Sequence, residues 1–178
     1  DCWTVGNTTT HSVVGTDASG LELRCLAHLM NDNKFTETLL NDDIHIHNMK
    51  MAGLTDRDQA KTFIYAFMYG AGPAKIGQVV GGGSKEGKVL IDRFLKSMPS
   101  LKRVRDIVTS TAEKHGIIKG IDGRLLRTRS PHSALNTLIQ GAGAVVCKLW
   151  LINIMKRTKA DNLDVKLVAS VHDEYQFE

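Results

Sequence analysis

The run from Val165 to Phe177, VKLVASVHDEYQF, decides the fold. Its first seven residues are mostly apolar with three β-branched valines, and it breaks at His172-Asp173-Glu174 before a second short run, Tyr175 to Phe177. That pattern predicts two short strands joined by a tight turn, with Asp173 where the first strand stops. At the other end of the chain Ser12 to Ser19, SVVGTDAS, is a second β-rich run, and it too ends in an acid, Asp17. Everything between has mainly helical texture. Gly20 opens a stretch with Leu21, Cys25, Leu26, Leu29 and Met30 on one face, and a helix is expected over roughly Ile44 to Ala52. Thr55 to Asp58 is a cap-like start for a long helix to about Tyr69, which Gly70-Ala71-Gly72-Pro73 stops. Two helices follow, Lys85 to Ser97 and Leu101 to His115, with Pro99 between them. A hairpin turning at Asp122-Gly123 is expected within Ile117 to Thr128, and Ser130-Pro131 opens a long helix to about Lys159. Strands at both ends with helices inserted make an α+β protein, not a βαβ series.

Composition narrows the class. The 178 residues are 42% hydrophobic and 24% charged, which suits a globular domain and excludes a collagenous or disordered chain. The longest apolar stretch, Gly141 to Met155, carries Lys148 and Asn153, so no membrane span and no membrane partner is expected. No basic-then-apolar leader opens the chain, which gives secretion no support. Cys2, Cys25 and Cys147 are scattered and offer neither a disulfide framework nor a zinc site. The net charge of +4 conceals segregation: residues 1–56 balance at −5, residues 57–130 at +9, and residues 131–178 at 0. A polyanion binder that also holds cationic metal needs such an arrangement, although solvated helix faces would produce it too.

Three groups of residues could carry chemistry. If the terminal strands are neighbours in one sheet, Asp17 and Asp173 project from the same edge, and two converging carboxylates need cations between them. Mg²⁺ takes one or two carboxylates plus substrate phosphates, which suits two-metal phosphoryl transfer; the plainer alternative is two turn residues. On the helix from Arg57, the residues Arg57, Lys61 and Tyr65 recur at steps of four and share a face, opposite Ala60, Phe63, Ile64 and Phe67. Two cations and a ring at a helix N-terminus describe a nucleotide cradle, or else an ordinary solvated face. Gly82 to Lys88 matches the first part of a phosphate-binding loop after the apolar run Ile76 to Val80, but the next residue is Val89, not the Ser or Thr that a Mg²⁺ ligand requires.

Read together, these segments resemble a known family. Asp17 to Arg24, DASGLELR, looks like motif A of the family A, DNA polymerase I-like, DNA polymerases; Arg57 to Gly70, RDQAKTFIYAFMYG, looks like motif B; and Val171 to Glu174, VHDE, looks like motif C. Ser130 to Gln140, SPHSALNTLIQ, is similar to the family helix that faces primer-template, and the wording around these motifs is closest to the short replicative polymerases of tailed phages. The resemblance implies a palm of antiparallel sheet, about residues 1–30 and 131–178, and helical fingers, about 31–130. It implies a piece truncated at both ends, lacking the thumb, any exonuclease region and the C-terminal end of the palm.

The resemblance also implies roles. Asp17, Asp173 and the carbonyl of Ala18 would bind two Mg²⁺ ions. Arg57, Lys61 and His45 would hold the incoming deoxynucleoside triphosphate, with Lys61 the proton donor to pyrophosphate. Tyr65 would lie against the sugar, Glu22 would close the space of a ribose 2′-hydroxyl, and Tyr69 and Gly70 would border the templating base. Asn136, Gln140 and His172 would contact primer-template DNA, joined on charge and position by Arg124 and Arg129, with Glu174 as electrostatic support. Tyr65, where many bacterial relatives have Phe, implies ready use of dideoxynucleotides. The expected activity is template-directed DNA synthesis in phage replication, in the cytoplasm of an infected bacterium, with a processivity factor or other replisome partner engaging regions outside these motifs. The alternatives are a DNA- and nucleotide-binding piece without turnover and, more remotely, a P-loop ATPase.

Overall fold

The computed structural model describes residues 12–178. These divide into two compact units, one of residues 12–21 with 142–178 and the other of residues 22–141. The first holds an antiparallel sheet of order β1-β5-β4, built from β1 (Val14–Asp17), β4 (Leu167–Val171) and β5 (Glu174–Phe177). The strand from the start of the chain lies directly beside the last one, with Val14 opposite Phe177 and Asp17 opposite Glu174. Alternation along β5 explains the register: Tyr175 and Phe177 are buried while Glu174 and Gln176 are half-buried. Trp150 of the long helix α8 (Ala134–Ala160) packs on Tyr175 at 5.2 Å between ring centroids, and Tyr175 on Phe177 at 6.3 Å. The turn from β4 into β5 is two residues, His172 and Asp173, shorter than the three expected, because Glu174 already pairs with Val171. His172 takes the positive φ of 55° that so tight a connection requires.

The second unit is helical: α1 (Leu21–Met30), α2 (Asn33–Asn41), α3 (Ile44–Ala52), α4 (Arg57–Met68), α5 (Pro73–Val79), α6 (Ser84–Ser97) and α7 (Pro99–His115) precede the hairpin β2 (Ile117–Lys119) and β3 (Leu125–Arg127). Local chemistry sets the boundaries. Asp32, Asp43 and Asp56 each accept backbone N–H groups at the starts of α2, α3 and α4. Pro99 stands in the first turn of α7, where its missing N–H costs nothing, so that helix begins two residues before the expected Leu101. Phe63, Phe67 and Phe94 form an edge-to-face aromatic core, the Phe63–Phe94 centroids 5.0 Å apart.

Two expectations change, and the remote phosphate-loop alternative, disfavoured already by Val89, loses its strand. The helix α2 is not anticipated, since NKFTETLLN is too polar and Thr-rich to signal itself. The apolar run Ile76 to Val80, which a phosphate-binding loop would need as a strand, belongs mostly to helix α5. The glycines beside it serve packing: a Cβ at Gly87 would fall 1.9 Å from the Pro73 carbonyl oxygen, and one at Gly77 would fall 1.9 Å from that of Gly83. Two helices therefore touch backbone to backbone where the motif suggested a phosphate cradle. Finally, Pro131–Ala160 is one helix among the described residues that is long and apolar enough to cross a membrane by length and composition. Gly141 to Met155 lies within that helix, and the turns before it add Ala134, Leu135, Leu138 and Ile139 to its apolar content. Cys25 and Cys147 are buried and joined in no disulfide, and Cys2 lies outside the described residues.

The close approach of α5 and α6 is testable. Gly87→Ala should destabilise by about 2–3 kcal/mol as an overpacked contact, read as a lowered urea midpoint. Gly72→Ser, where nothing lies within 4 Å of the added Cβ at the N-cap of α5, should change stability by less than about 0.5 kcal/mol or raise it.

Candidate functional site

In the sheet unit the backbones of the two candidate metal-binding acids are neighbours. Asp17 ends β1, Asp173 sits in the turn before β5, and the Ala18 N–H donates to the Asp173 carbonyl at 3.1 Å. Ala18 O accepts the Leu21 N–H at 3.2 Å and keeps a second lone pair. The donor set at this sheet end is therefore two carboxylates and a carbonyl, hard oxygen ligands suited to Mg²⁺. Among the described residues no group of three or more His, Cys, Asp or Glu side chains gathers around a metal position. The residues present thus fit an ion shared with substrate phosphates, not an all-protein cage. Glu174 turns to its own strand, its carboxylate accepting from the Gln176 side-chain amide, and His172 is exposed at the turn.

In the helical unit α3 and α4 bring His45, Arg57, Lys61 and Tyr65 into one neighbourhood. The His45 and Tyr65 rings lie 6.1 Å apart, tilted by 44°. Asp43 joins the two helix starts. Its Oδ1 accepts the N–H groups of His45 at 2.9 Å and Ile46 at 3.2 Å, while its Oδ2 accepts Arg57 Nε–H at 2.7 Å. The Arg57 bond holds the Asp43 carboxyl below its ordinary value, and the same bond raises Arg57. Lys61, a turn further on, is exposed and has no ion pair among the described residues. Burial, then the nearby Arg57 charge, pushes the imidazole of His45 below 6.5, and its Nδ1 is buried without a hydrogen-bond partner. Asp43 is the residue that sequence reasoning misses. Its only local signal is its position before Ile44, where an acid reads as a cap and nothing more.

A second cluster in the same unit gathers Glu22, Tyr69, Asn136 and Gln140, which are far apart in sequence. Tyr69 O–H donates to Glu22 Oε1 at 2.7 Å, and Asn136 Nδ2 donates to the Tyr69 carbonyl at 3.0 Å. The Glu22 carboxylate is the main cause of the raised Tyr69 phenol, with a hydrogen bond to Gln140 acting the other way. Gly70 follows at φ 76°, its missing Cβ 3.6 Å from the His132 carbonyl, so the chain turns tightly against the start of the α8 region. Arg124 at the β2–β3 turn pairs with Asp122, and Arg129 is exposed; neither joins these clusters.

His45 provides a pH test. A histidine whose folded value is depressed costs nothing above its unfolded value of 6.5, and stability falls as pH drops below that, because the unfolded chain then binds more protons. His45→Gln should therefore flatten the loss of stability between pH 6.5 and about pH 5, read from urea midpoints. An unchanged slope would show that His45 titrates alike in both states.

Known proteins resemble this chain in sequence and fold. The chain is 44% identical to the DNA-directed DNA polymerase of Enterobacteria phage T3 over 185 residues, covering 91% of this chain and 26% of that protein. It is 45% identical to the polymerase of Escherichia phage T7 over 185 residues, with the same coverage of 91% and 26%. The chain thus spans about a quarter of the length of these curated relatives. A solved structure, the POL domain of Pol1 from M. smegmatis in complex with DNA primer-template and dNTP, matches with a TM-score of 0.83 at 24% identity, covering 97% of this chain and 34% of that one. That likeness supports the mixed fold of antiparallel sheet and helices. The family model for DNA polymerase family A matches residues 4–178, and by that match, together with the phage relatives, the chain belongs to DNA polymerase family A.

Proposed function

We propose that this chain carries the polymerising core of a template-directed DNA polymerase that acts in phage DNA replication, in the cytoplasm of an infected bacterium. The observation that supports it most is the β1–β5 pairing, which sets Asp17 and Asp173 at one sheet end although they stand near opposite ends of the chain. On this reading about residues 1–30 and 131–178, with the sheet, α1 and α8, are palm and about residues 31–130, from α2 through the β2–β3 hairpin, are fingers. The phage relatives, both DNA-directed DNA polymerases, support the activity. The structural neighbour, solved with DNA primer-template and dNTP, supports DNA and deoxynucleoside triphosphate as partners.

Asp17, Asp173 and the Ala18 carbonyl would hold Mg²⁺, two ions per site. When bound, such ions lower the pKa of a primer 3′-hydroxyl and neutralise triphosphate charge. The chain's own residues do the rest. Arg57 and Lys61 bind the triphosphate at the positive end of α4, with neutral His45 as a further hydrogen-bonding group. Lys61 holds a proton at Nζ for the departing pyrophosphate. Tyr65 lies against the sugar. Glu22, pinned by Tyr69, fills the position of a 2′-hydroxyl, so a ribonucleotide would leave polar groups unpaired. Asn136, Gln140, His172, Arg124 and Arg129 contact primer-template, and Glu174 adds negative potential beside the two aspartates.

Primer extension with Mg²⁺ tests this. Asp173→Asn, which a turn accommodates, should lower incorporation by roughly 10²–10³-fold or more with folding intact. Binding of DNA and nucleotide with no extension by the unaltered full chain would instead favour a module without turnover. Tyr65→Phe should lower dideoxynucleotide use relative to deoxynucleotides by roughly tenfold, the scale of one hydrogen bond; an unchanged ratio would remove Tyr65 from sugar recognition.

A further inference from the structure

Three helices of the helical unit begin with an aspartate, and their second carboxylate oxygens are used differently. Asp56 Oδ1 accepts the Gln59 N–H at the start of α4. Asp32 caps α2 through Oδ1 and takes the Ser100 hydroxyl on Oδ2 at 2.7 Å, which ties α2 to the start of α7. Asp43 caps α3 through Oδ1 and gives Oδ2 to the Nε–H of Arg57, the first residue of α4. One carboxylate therefore locks two helix N-termini together, and with them His45 and Arg57, two of the residues assigned to the triphosphate. The bond uses the Nε edge of the guanidinium. Arg57 Nη1 stands 3.6 Å from the solvated Asp58 carboxylate, too far for a hydrogen bond, so the terminal nitrogens remain for another anion. A free arginine on a helix start would have to be ordered by the ligand, at a cost in rotamer entropy that Asp43 removes in advance.

We propose that Asp43 is a positioning residue for the incoming nucleotide, holding Arg57 through Nε so that its terminal nitrogens receive the triphosphate. This rests on the reading of α3 and α4 as the nucleotide cradle and adds to it a residue that touches neither phosphate nor metal. Two helix N-termini and Arg57 converge there, and of the nearby carboxylates Asp56 caps α4 and Asp58 stands 3.6 Å from Arg57, while Asp43 joins the two helix starts.

Asp43→Asn separates orientation from folding. Asparagine caps helices about as well as aspartate, yet it has one acceptor oxygen and cannot serve both the α3 N–H groups and the guanidinium. In single-nucleotide incorporation by the full chain with primer-template and Mg²⁺, Asp43→Asn should raise the KM for deoxynucleoside triphosphate about tenfold and change kcat less than about threefold. Its thermal midpoint should move by less than about 2 °C. Because the effect acts through Arg57, adding Asp43→Asn to Arg57→Ala should change KM by no more than about twofold further. An unchanged or lower KM, multiplying penalties in the double variant, or a KM rise matched by a comparable loss of stability would overturn the positioning role. Lys61→Ala keeps the two ideas apart. If it leaves KM and kcat unchanged, the cradle reading itself fails; if it weakens incorporation while Asp43→Asn is silent, only the role of Asp43 fails.

Discussion

The antiparallel pairing of β1 with β5 is the constraint on which the catalytic assignment depends. It joins a strand from the start of the described chain to the last one, and the Ala18 N–H to Asp173 carbonyl bond closes that pairing beside the turn. Register matters here more than proximity. A slip of one residue would exchange Tyr175 and Phe177 with Gln176 and Glu174, exposing the rings that pack with Trp150 and burying polar groups in their place. The apolar faces that fix the register are thus the same residues that fix Asp17 beside the hairpin turn. One alignment of strands thus serves the core and, on the proposed reading, the metal site as well.

The helical unit solves a different problem, which on the proposed reading is to hold long, entropically costly cations ready for a polyanion. It does so with short acids at helix starts. Each cap satisfies backbone donors that would otherwise be orphaned, and Asp43 and Asp32 use their remaining oxygen to connect one helix to another. Burial of His45 beside Arg57 keeps the imidazole neutral, so it adds hydrogen-bonding capacity without further positive charge. The Glu22–Tyr69 bond works similarly, fixing a carboxylate by a phenol rather than by a cation.

Much of this is legible from residues alone because local rules and burial agree. The helix over Ile44–Ala52 has both a cap signal and apolar spacing, and α4 adds a clean stop at Gly70; both appear where expected. Where local rules are weak, the sequence misleads or is silent. The elements α2 and α5 are held by tertiary packing, the former through Asp32 and Ser100, the latter through the glycine contacts with α6. The motif from Gly82 to Lys88 shows how one composition admits two physical meanings, since glycines allow a backbone to approach a phosphate or another helix equally well.

The sequence by itself determined the chemistry available: which residues are acids at strand ends, which cations share a helix face, and the order of the three motifs that mark the family. Those follow from residue type and spacing, with periods of two and 3.6 that need no long-range information. Only the tertiary structure decided which oxygen of Asp43 meets Arg57, which phenol pins Glu22, and that the two aspartates of the sheet unit are backbone neighbours. These are contacts between residues distant in the chain. Their geometry depends on strand register and helix packing, which no local propensity encodes.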